Sequence, residues 1–227
     1  MTSAWILKRK NRRIEEGQYN ICKGVDRTKR EEIEKKLRTL DAASINDALR
    51  KRGSVDESIK SIKQGDILCG PAFTAKCCPG DMLTALKALD EISEGQVLVI
   101  DGGGITKFSL FGDLMAMQAK LKKLAGVVVD GAIRDVKSVR GEGFPVFCRG
   151  IVTKAGTATR LGEINVPVVC GGVIVNPGDW IFGDDDGVVV IPKEKVEDII
   201  RDAEETLKRE AIIREAIEQG KSISKLL

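Results

Sequence analysis

Two short pairs of residues carry the chemistry this chain could perform. They are Gly112-Asp113 and Arg134-Asp135, with 20 residues between Asp113 and Arg134. An arginine offers a planar fork that grips a carboxylate or a keto acid at two points. Aspartates offer hard oxygen ligands that suit Mg²⁺ or Mn²⁺. A glycine just ahead of a helix leaves outward-pointing backbone N–H groups, which favour an anion. Converging, these groups make a site for an anionic, carbonyl-bearing substrate beside a divalent cation. The same residues have a plainer use, with Asp113 capping a helix and Arg134-Asp135 pairing locally on the surface.

The flanking patterns can bring the two pairs together. Residues 126–129 (GVVV) form a short β-branched run opened by glycine, the pattern of a buried strand. Asp130-Gly131-Ala132-Ile133 follows as a turn and delivers Arg134-Asp135. Residues 114–124 (LMAMQAKLKKL) predict a helix with Leu114, Met117, Leu121 and Leu124 along one face. Gly112-Asp113 then sits at a helix N-terminus, and the strand can return Arg134-Asp135 to the same end of a sheet.

With 227 residues the chain can bury a full core, as one large domain or one domain with an added arm. No apolar run approaches the roughly 20 residues that span a bilayer. Basic residues interrupt the N-terminus before a signal peptide's apolar core can form. The expectation is a soluble, cytoplasmic protein with no membrane partner. The formal charge of +3 is too small to argue for nucleic acid. Lys8, Arg9, Lys10, Arg12 and Arg13 cluster near the start, and a solvated face or frayed arm is the simpler reading than an RNA contact.

The chain has no histidine. That removes Ser-His-Asp and Cys-His catalysis and imidazole zinc sites. Proton transfer falls to carboxylate, Lys, Tyr, Cys or water. The six cysteines, Cys22, Cys69, Cys77, Cys78, Cys148 and Cys170, contain no C-x2-C pair. Most lie in apolar runs, so buried thiols are expected rather than a soft metal site or a secreted disulfide framework.

The patterning divides the chain into a basic, helical N-terminal arm over residues 1–40 and an α/β domain over residues 41–227 that includes a C-terminal helix. Residues 27–40 predict a charged helix with Ile33, Leu37 and Leu40 on its apolar side. Residues 44–49 begin another, capped by Ser44 with Asp47 at the third helical position. Residues 67–78 predict strand, turn and strand, punctuated by Gly70-Pro71. Residues 97–100 predict a strand ending in Asp101-Gly102-Gly103-Gly104. Residues 141–143 form a turn before a short strand at 145–148. Short β runs follow at 166–170, 173–175, 180–183 and 188–191, with turns at 176–179 and 184–187. Pro192 leads into a final amphipathic helix from 196 to about 219.

Two motifs invite cofactor readings. The strand–DGGG–helix unit, with Asp130 ending a later strand, imitates a nucleotide or S-adenosylmethionine site. It lacks the full dinucleotide fingerprint, and the hairpin-rich second half does not continue a regular βαβ pattern. Close backbone packing is the simpler role for the glycines. Asp184-Asp185-Asp186 could bind a cation, but a following glycine and flanking strands predict a tight turn.

A set of stretches resembles one family: SINDAL (44–49), GPAFTAKCCPGD (70–81), GQVLVIDGGG (95–104), Gly112-Asp113, GVVVDGAIRDV (126–136), GFPVF (143–147) and GDDDGVVVIP (183–192). That family joins regulator-of-ribonuclease-activity A proteins with 4-hydroxy-4-methyl-2-oxoglutarate/4-carboxy-4-hydroxy-2-oxoadipate aldolases, once mislabelled demethylmenaquinone methyltransferases. The resemblance covers about residues 40–195 and leaves the arm outside. It implies a β/β/α three-layer sandwich of the swivelling-domain type with helical N- and C-terminal segments, in homotrimers or hexamers with the site near a subunit interface. It implies Asp135 as the metal ligand, with water completing much of the shell, and Asp113 as the catalytic residue orienting those waters. Arg134 is implied as both catalytic and substrate-binding, gripping carboxylate and keto oxygen. Backbone groups from Gly112 to Leu114 and Met115 are implied to help bind substrate. Family aldolases often carry an acid three residues after the Asp of the R-D pair, where this chain has Ser138.

The chemistry suits the residues. Cleaving a C–C bond beta to a ketone leaves pyruvate enolate, whose negative charge sets the barrier. The resemblance implies a Mg²⁺- or Mn²⁺-dependent lyase on 2-oxo acids, a 4-hydroxy-2-oxo-acid aldolase or oxaloacetate decarboxylase. Decarboxylation asks only for the electron sink, whereas retro-aldol cleavage also needs a base, so Ser138 favours decarboxylation. The alternative is a non-enzymatic regulator or scaffold that binds a protein partner of RNA processing.

Overall fold

Apolar residues that alternate with period two sort the strand side chains onto two faces of one sheet, and that sheet carries the site. In the computed structural model, the structure describes residues 27–226. The basic cluster at residues 8–13, Cys22 and most of the expected arm lie outside the described residues.

The helices are α1 (Arg27–Leu37), α2 (Ala42–Ala48), α3 (Leu83–Glu91), α4 (Asp113–Leu121), α5 (Val136–Gly141) and α6 (Val196–Glu218). The strands are β1 (Lys60–Ser61), β2 (Leu68–Lys76), β3 (Val97–Phe111), β4 (Gly126–Ile133), β5 (Val146–Ile151), β6 (Glu163–Ile164), β7 (Val168–Cys170), β8 (Val173–Val175), β9 (Trp180–Asp184) and β10 (Gly187–Ile191). The main sheet runs β1-β5-β4-β3-β2-β9-β10, with β6 also on β2, and β7-β8 form a separate hairpin. Strands β2 to β5 pair in parallel, and β9 and β10 add an antiparallel end. The α/β class expected from the sequence is the class observed.

Leu98 and Ile100 of β3, with Val127 and Val129 of β4, face a core roofed by α3, α4 and α5. Val97, Val99 and Val128 point the other way, towards Val168, Cys170 and Val175 of the hairpin and Val55 and Ile59. At the antiparallel end, Trp180, Phe182, Val189 and Ile191 pack beneath α1, α2 and α6. Ile33, Leu37 and Leu40 join that cluster, on the side of α1 that the sequence marks as apolar.

Several local expectations give way to tertiary context. Residues 67–78 do not break at Gly70-Pro71, because β2 is continuous and changes partner there. Leu68 to Pro71 pair with β9, and Ala72 to Lys76 with β3. Proline has no N–H to give, and a Cβ on Gly70 would stand 2.6 Å from the Gly95 carbonyl oxygen. Strand β3 likewise continues past Asp101 to Phe111 through three register shifts. Residues 130–133 are strand rather than turn. The N-cap of α2 is Asp41, whose carboxylate accepts the Ser44 N–H while Ser44 Oγ reaches back to the Asp41 N–H. Ser44 is thus the third helical residue, closing that capping box, not its N-cap. On α4 the buried residues are Met115, Ala116 and Ala119. Leu114, Met117 and Leu121 face solvent, since small alanines let the helix lie close to the sheet.

Candidate active site

Strands β3 and β4 end side by side, with Phe111 opposite Ile133. The carboxyl ends of parallel strands are where open α/β sheets present ligand-binding loops. The chain leaves β3 through Gly112, the N-cap of α4, and leaves β4 through Arg134 and Asp135, the N-cap of α5. The Arg134 N–H donates to the Phe111 carbonyl at 3.1 Å and stitches the two exits together.

Gly112 is where they meet. A Cβ placed on it would stand 3.0 Å from Asp135 Oδ2 and 3.5 Å and 3.6 Å from Arg134 Cγ and Nε. Its φ of −151° is ordinary extended backbone, so a side chain there would be limited by its contact with Asp135 and not by conformation. Asp135 lies in the left-handed region at φ 56°, which costs a non-glycine residue about 1–3 kcal/mol. Aspartate tolerates that region better than most residues. Its carboxylate makes no capping bond to α5 and pairs instead with Arg134, Nε to Oδ2 at 3.0 Å. The two side chains are 42% and 35% exposed, so the site opens to solvent.

Asp113 Oδ1 accepts the Leu114 N–H at 2.8 Å. One of the two backbone donors expected for the substrate is therefore already engaged. The Met115 side chain is buried beneath α4, so only its backbone could serve a ligand. The structure thus brings Gly112, Arg134 and Asp135 into contact and sets Asp113 at the helix start beside them. The plain Arg134–Asp135 pairing is present, and both side chains stand against Gly112.

Among the described residues, no group of three or more His, Cys, Asp or Glu side chains is placed to hold a metal ion. The residue that could hold a hard cation with most of its water retained is Asp135, whose carboxylate is part-exposed and stands against Gly112. Mg²⁺ is commonly bound this way, through one or two carboxylates and several waters.

Two polar clusters behind the site have no local sequence signal. Asp130 is buried and pairs with Arg149 at 2.7 Å, and its other oxygen accepts the Gly171 N–H at 2.7 Å. Arg149 also contacts Asp56 at 3.1 Å and Ser58 Oγ at 2.7 Å. Hydrogen bonds from Ser58, then Arg149, pull the Asp56 carboxyl down to about 2. Asp130 thereby latches the β7-β8 hairpin over the sheet, with both carboxylate oxygens engaged by the fold. Gly102 serves close packing, since a Cβ there would stand 2.7 Å from the Asp130 carbonyl oxygen.

The second cluster centres on Asp81, which is fully buried. Its Oδ2 accepts from Thr157 Oγ1 at 2.6 Å, Thr159 N at 2.9 Å, Thr159 Oγ1 at 3.0 Å and Arg160 N at 3.1 Å. Burial works to raise the carboxyl, but the bonds from Thr157, Thr159 and Leu83 outweigh it and hold Asp81 well below the usual carboxylate range. The clamped loop bonds in turn to Ser109, through Gly156 N–H at 2.9 Å and Lys154 carbonyl at 2.8 Å. Ser109 Oγ donates to the Phe111 carbonyl, which also receives Arg134.

Among the described cysteines Cys69, Cys148 and Cys170 are buried, as expected, while Cys77 and Cys78 are partly exposed. Burial pushes Cys69 and Cys77 up to about 12 and Cys148 up to about 11. The triple acid forms a turn, with Asp184 accepting from Ala42 N–H and Asp186 N–H, and Asp185 from Gly65 N–H.

A mixed sheet with a Gly-Asp helix start and an Arg-Asp pair at adjacent parallel strand ends defines the class of protein. The family model described as RraA-like, Aldolase/RraA, matches residues 42–190, and the chain belongs to that family. A relative from Halalkalibacterium halodurans, named "Putative 4-hydroxy-4-methyl-2-oxoglutarate aldolase", is 44% identical over 167 residues, 74% of this chain and 80% of its own. The crystal structure of an uncharacterized protein from Pseudomonas syringae matches at a TM-score of 0.80 and 28% identity, over 86% of this chain and 92% of that one. Streptomyces coelicolor RraAS2, described as an unusual member of the RNase ES inhibitor RraA protein family, matches at a TM-score of 0.74 and 33% identity. That match covers 81% of this chain and 96% of RraAS2. No described helix is long and apolar enough to cross a membrane.

Proposed function

We propose that the protein is a divalent-metal-dependent lyase that cleaves a C–C bond in a 2-oxo acid to give pyruvate enolate. The supporting observation is that the Arg134 and Asp135 side chains both stand against Gly112, at the start of α4. In this reading Asp135 holds Mg²⁺ or Mn²⁺, which supplies Lewis-acid charge neutralisation when bound. Arg134 grips the substrate's carboxylate and keto oxygen and orients the scissile bond. With oxaloacetate, that bond's electron pair moves into the ketone as CO₂ leaves, and the enolate then takes a proton at carbon. The Arg134 guanidinium and the N-terminal dipole of α4 face the charge that develops. A retro-aldol substrate must also lose a hydroxyl proton, and Asp113 is the nearest carboxylate in sequence to act through water.

Release of pyruvate from oxaloacetate is the test, run with Mg²⁺ or Mn²⁺, with chelator, with Asp135→Ala, and with free metal alone for the baseline. Turnover above baseline that is lost with chelator and with Asp135→Ala is expected. Turnover indifferent to both would discard the metal site.

The RraAS2 likeness favours a second reading, a regulator that binds a protein partner of RNA processing. That reading expects partner binding to survive both chelator and Arg134→Ala.

A further inference from the structure

Resting on the lyase reading, the aim of Arg134 matters as much as its charge, since a misplacement of about 1 Å can cost on the order of 10² in rate. The guanidinium is part-exposed, so its aim is set by the backbone it leaves from. Two carbonyls hold that backbone. Arg134 N–H donates to Phe111 O at 3.1 Å, and Val152 N–H donates to the carbonyl of Ile133, the preceding residue, at 2.9 Å. Both lead to residues 152–157, which cross the ends of β4 and β3. The Lys154 carbonyl accepts Ser109 N–H at 2.8 Å, and Gly156 N–H donates to Ser109 O at 2.9 Å. Ser109 is buried, and its Oγ donates to Phe111 O at 2.8 Å. That carbonyl belongs to the peptide joining Phe111 to Gly112. Ser109 thus fixes the direction of the peptide that leads into Gly112 and receives Arg134.

The far end of the segment is fastened at the start of α3. Thr157 N–H donates to Gly80 O at 2.9 Å, Met82 N–H donates to Thr157 O at 2.7 Å, and the buried Asp81 carboxylate gathers Thr157, Thr159 and Arg160. The segment also lies very close to what it crosses. A Cβ on Gly156 would stand 2.9 Å from both the Gly80 and the Ser109 carbonyl oxygens, so any side chain there must push the segment away. We propose that residues 152–157 are a strut that positions Arg134, with Asp81 as its anchor and Ser109 as the positioning residue that passes its hold to the Phe111 carbonyl. A site held to a fraction of an ångström needs such a supporting shell.

The test uses the full chain with Ser109→Ala, which removes one donor, and Gly156→Ala, each checked for a cooperative melt. Gly156 lies outside the left-handed region, so its substitution acts through space alone. Should Gly156→Ala fail to fold, Ser109→Ala decides. The first readout is amide hydrogen exchange, with Val127 N–H, bonded to Pro145 O at 3.0 Å, as the control for global opening. Exchange at Arg134 is expected to quicken roughly two- to tenfold, the worth of one hydrogen bond, with Val127 unmoved. Unchanged protection at Arg134 overturns the strut whatever the chemistry of the site. The second readout is pyruvate release from oxaloacetate, alone and combined with Arg134→Ala. Each variant is expected to lower kcat/KM roughly tenfold or more in the wild-type background and to add nothing once Arg134 is gone. An equal loss in both backgrounds shows a role that does not pass through Arg134, and sinks the proposal. Quickened exchange at Arg134 in a chain whose wild type turns over no 2-oxo acid would keep the strut and discard the lyase.

Discussion

Arg134 is asked to do two things that lysine cannot do together: span a carboxylate and a neighbouring keto oxygen, and stay charged throughout. Arg134→Ala is therefore expected to lower kcat/KM for oxaloacetate by on the order of 10²–10³, the scale for losing a preorganised charge donor. Arg134→Lys should recover only part of it. A lysine variant as active as wild type, in pyruvate-release assays at saturating Mg²⁺, would show that the fork is not used. Arg149 serves the fold instead. Asp130 is buried against it, and Arg149→Ala strands that carboxylate, a change expected to cost about 3–5 kcal/mol. Urea unfolding measures this, and a loss within error would mean that water satisfies Asp130. The sequence exposes the first arginine and hides the second for one reason. Arg134 follows a β-branched strand and stands a helix away from Gly112-Asp113, so local patterning brings the pairs near. The Arg149–Asp130 bond depends on how β5 lies beside β4, and no residue near either one announces it.

Elements were legible where the pattern is local and misread where a partner decides. The β runs at the C-terminal end, α1 and α6 follow from periodicity and turn residues alone. The Gly70-Pro71 turn signal splits β2 in two, because nothing local says that β9 takes its first half and β3 its second. The Asp81 clamp is hidden by distance: Thr157 lies 76 residues away along the chain. It carries a pH prediction. A carboxyl whose folded pKa is depressed stabilises above its unfolded value, and the contribution is lost as pH falls through the folded one. Asp81 and Asp56 both shift down from 3.8, Asp56 to about 2. Stability should therefore hold through neutral pH and fall from about pH 4 towards pH 2. Asp81→Asn should flatten part of that acid slope while lowering stability at pH 7 by about 1–3 kcal/mol, through unmet donors around residue 81. Melting curves of both proteins across pH 2–7 check it, and parallel acid limbs would remove Asp81 from the account.

At the scale of the whole molecule, α4 presents a problem that a lone chain does not solve. Leu114, Met117 and Leu121 are 72%, 47% and 76% exposed on successive turns. The helix thus has two apolar sides, an alanine-rich one on the sheet and a leucine one facing out. Sequence periodicity alone could not say which of them the core would take. An outward row of large apolar side chains marks an association surface more often than a free one. This row begins at Leu114, immediately after Asp113. The trimer or hexamer implied by the family resemblance gives it a use, since a second copy seated there would bury the leucines and could cover the part-exposed Arg134–Asp135 pair. Leu114→Glu with Leu121→Glu should then reduce the mass in light scattering to that of one 24.7 kDa chain and depress turnover, with the melt still cooperative. An assembly of unchanged mass would place the contact elsewhere. A monomer with undiminished turnover would show that each chain completes its own site.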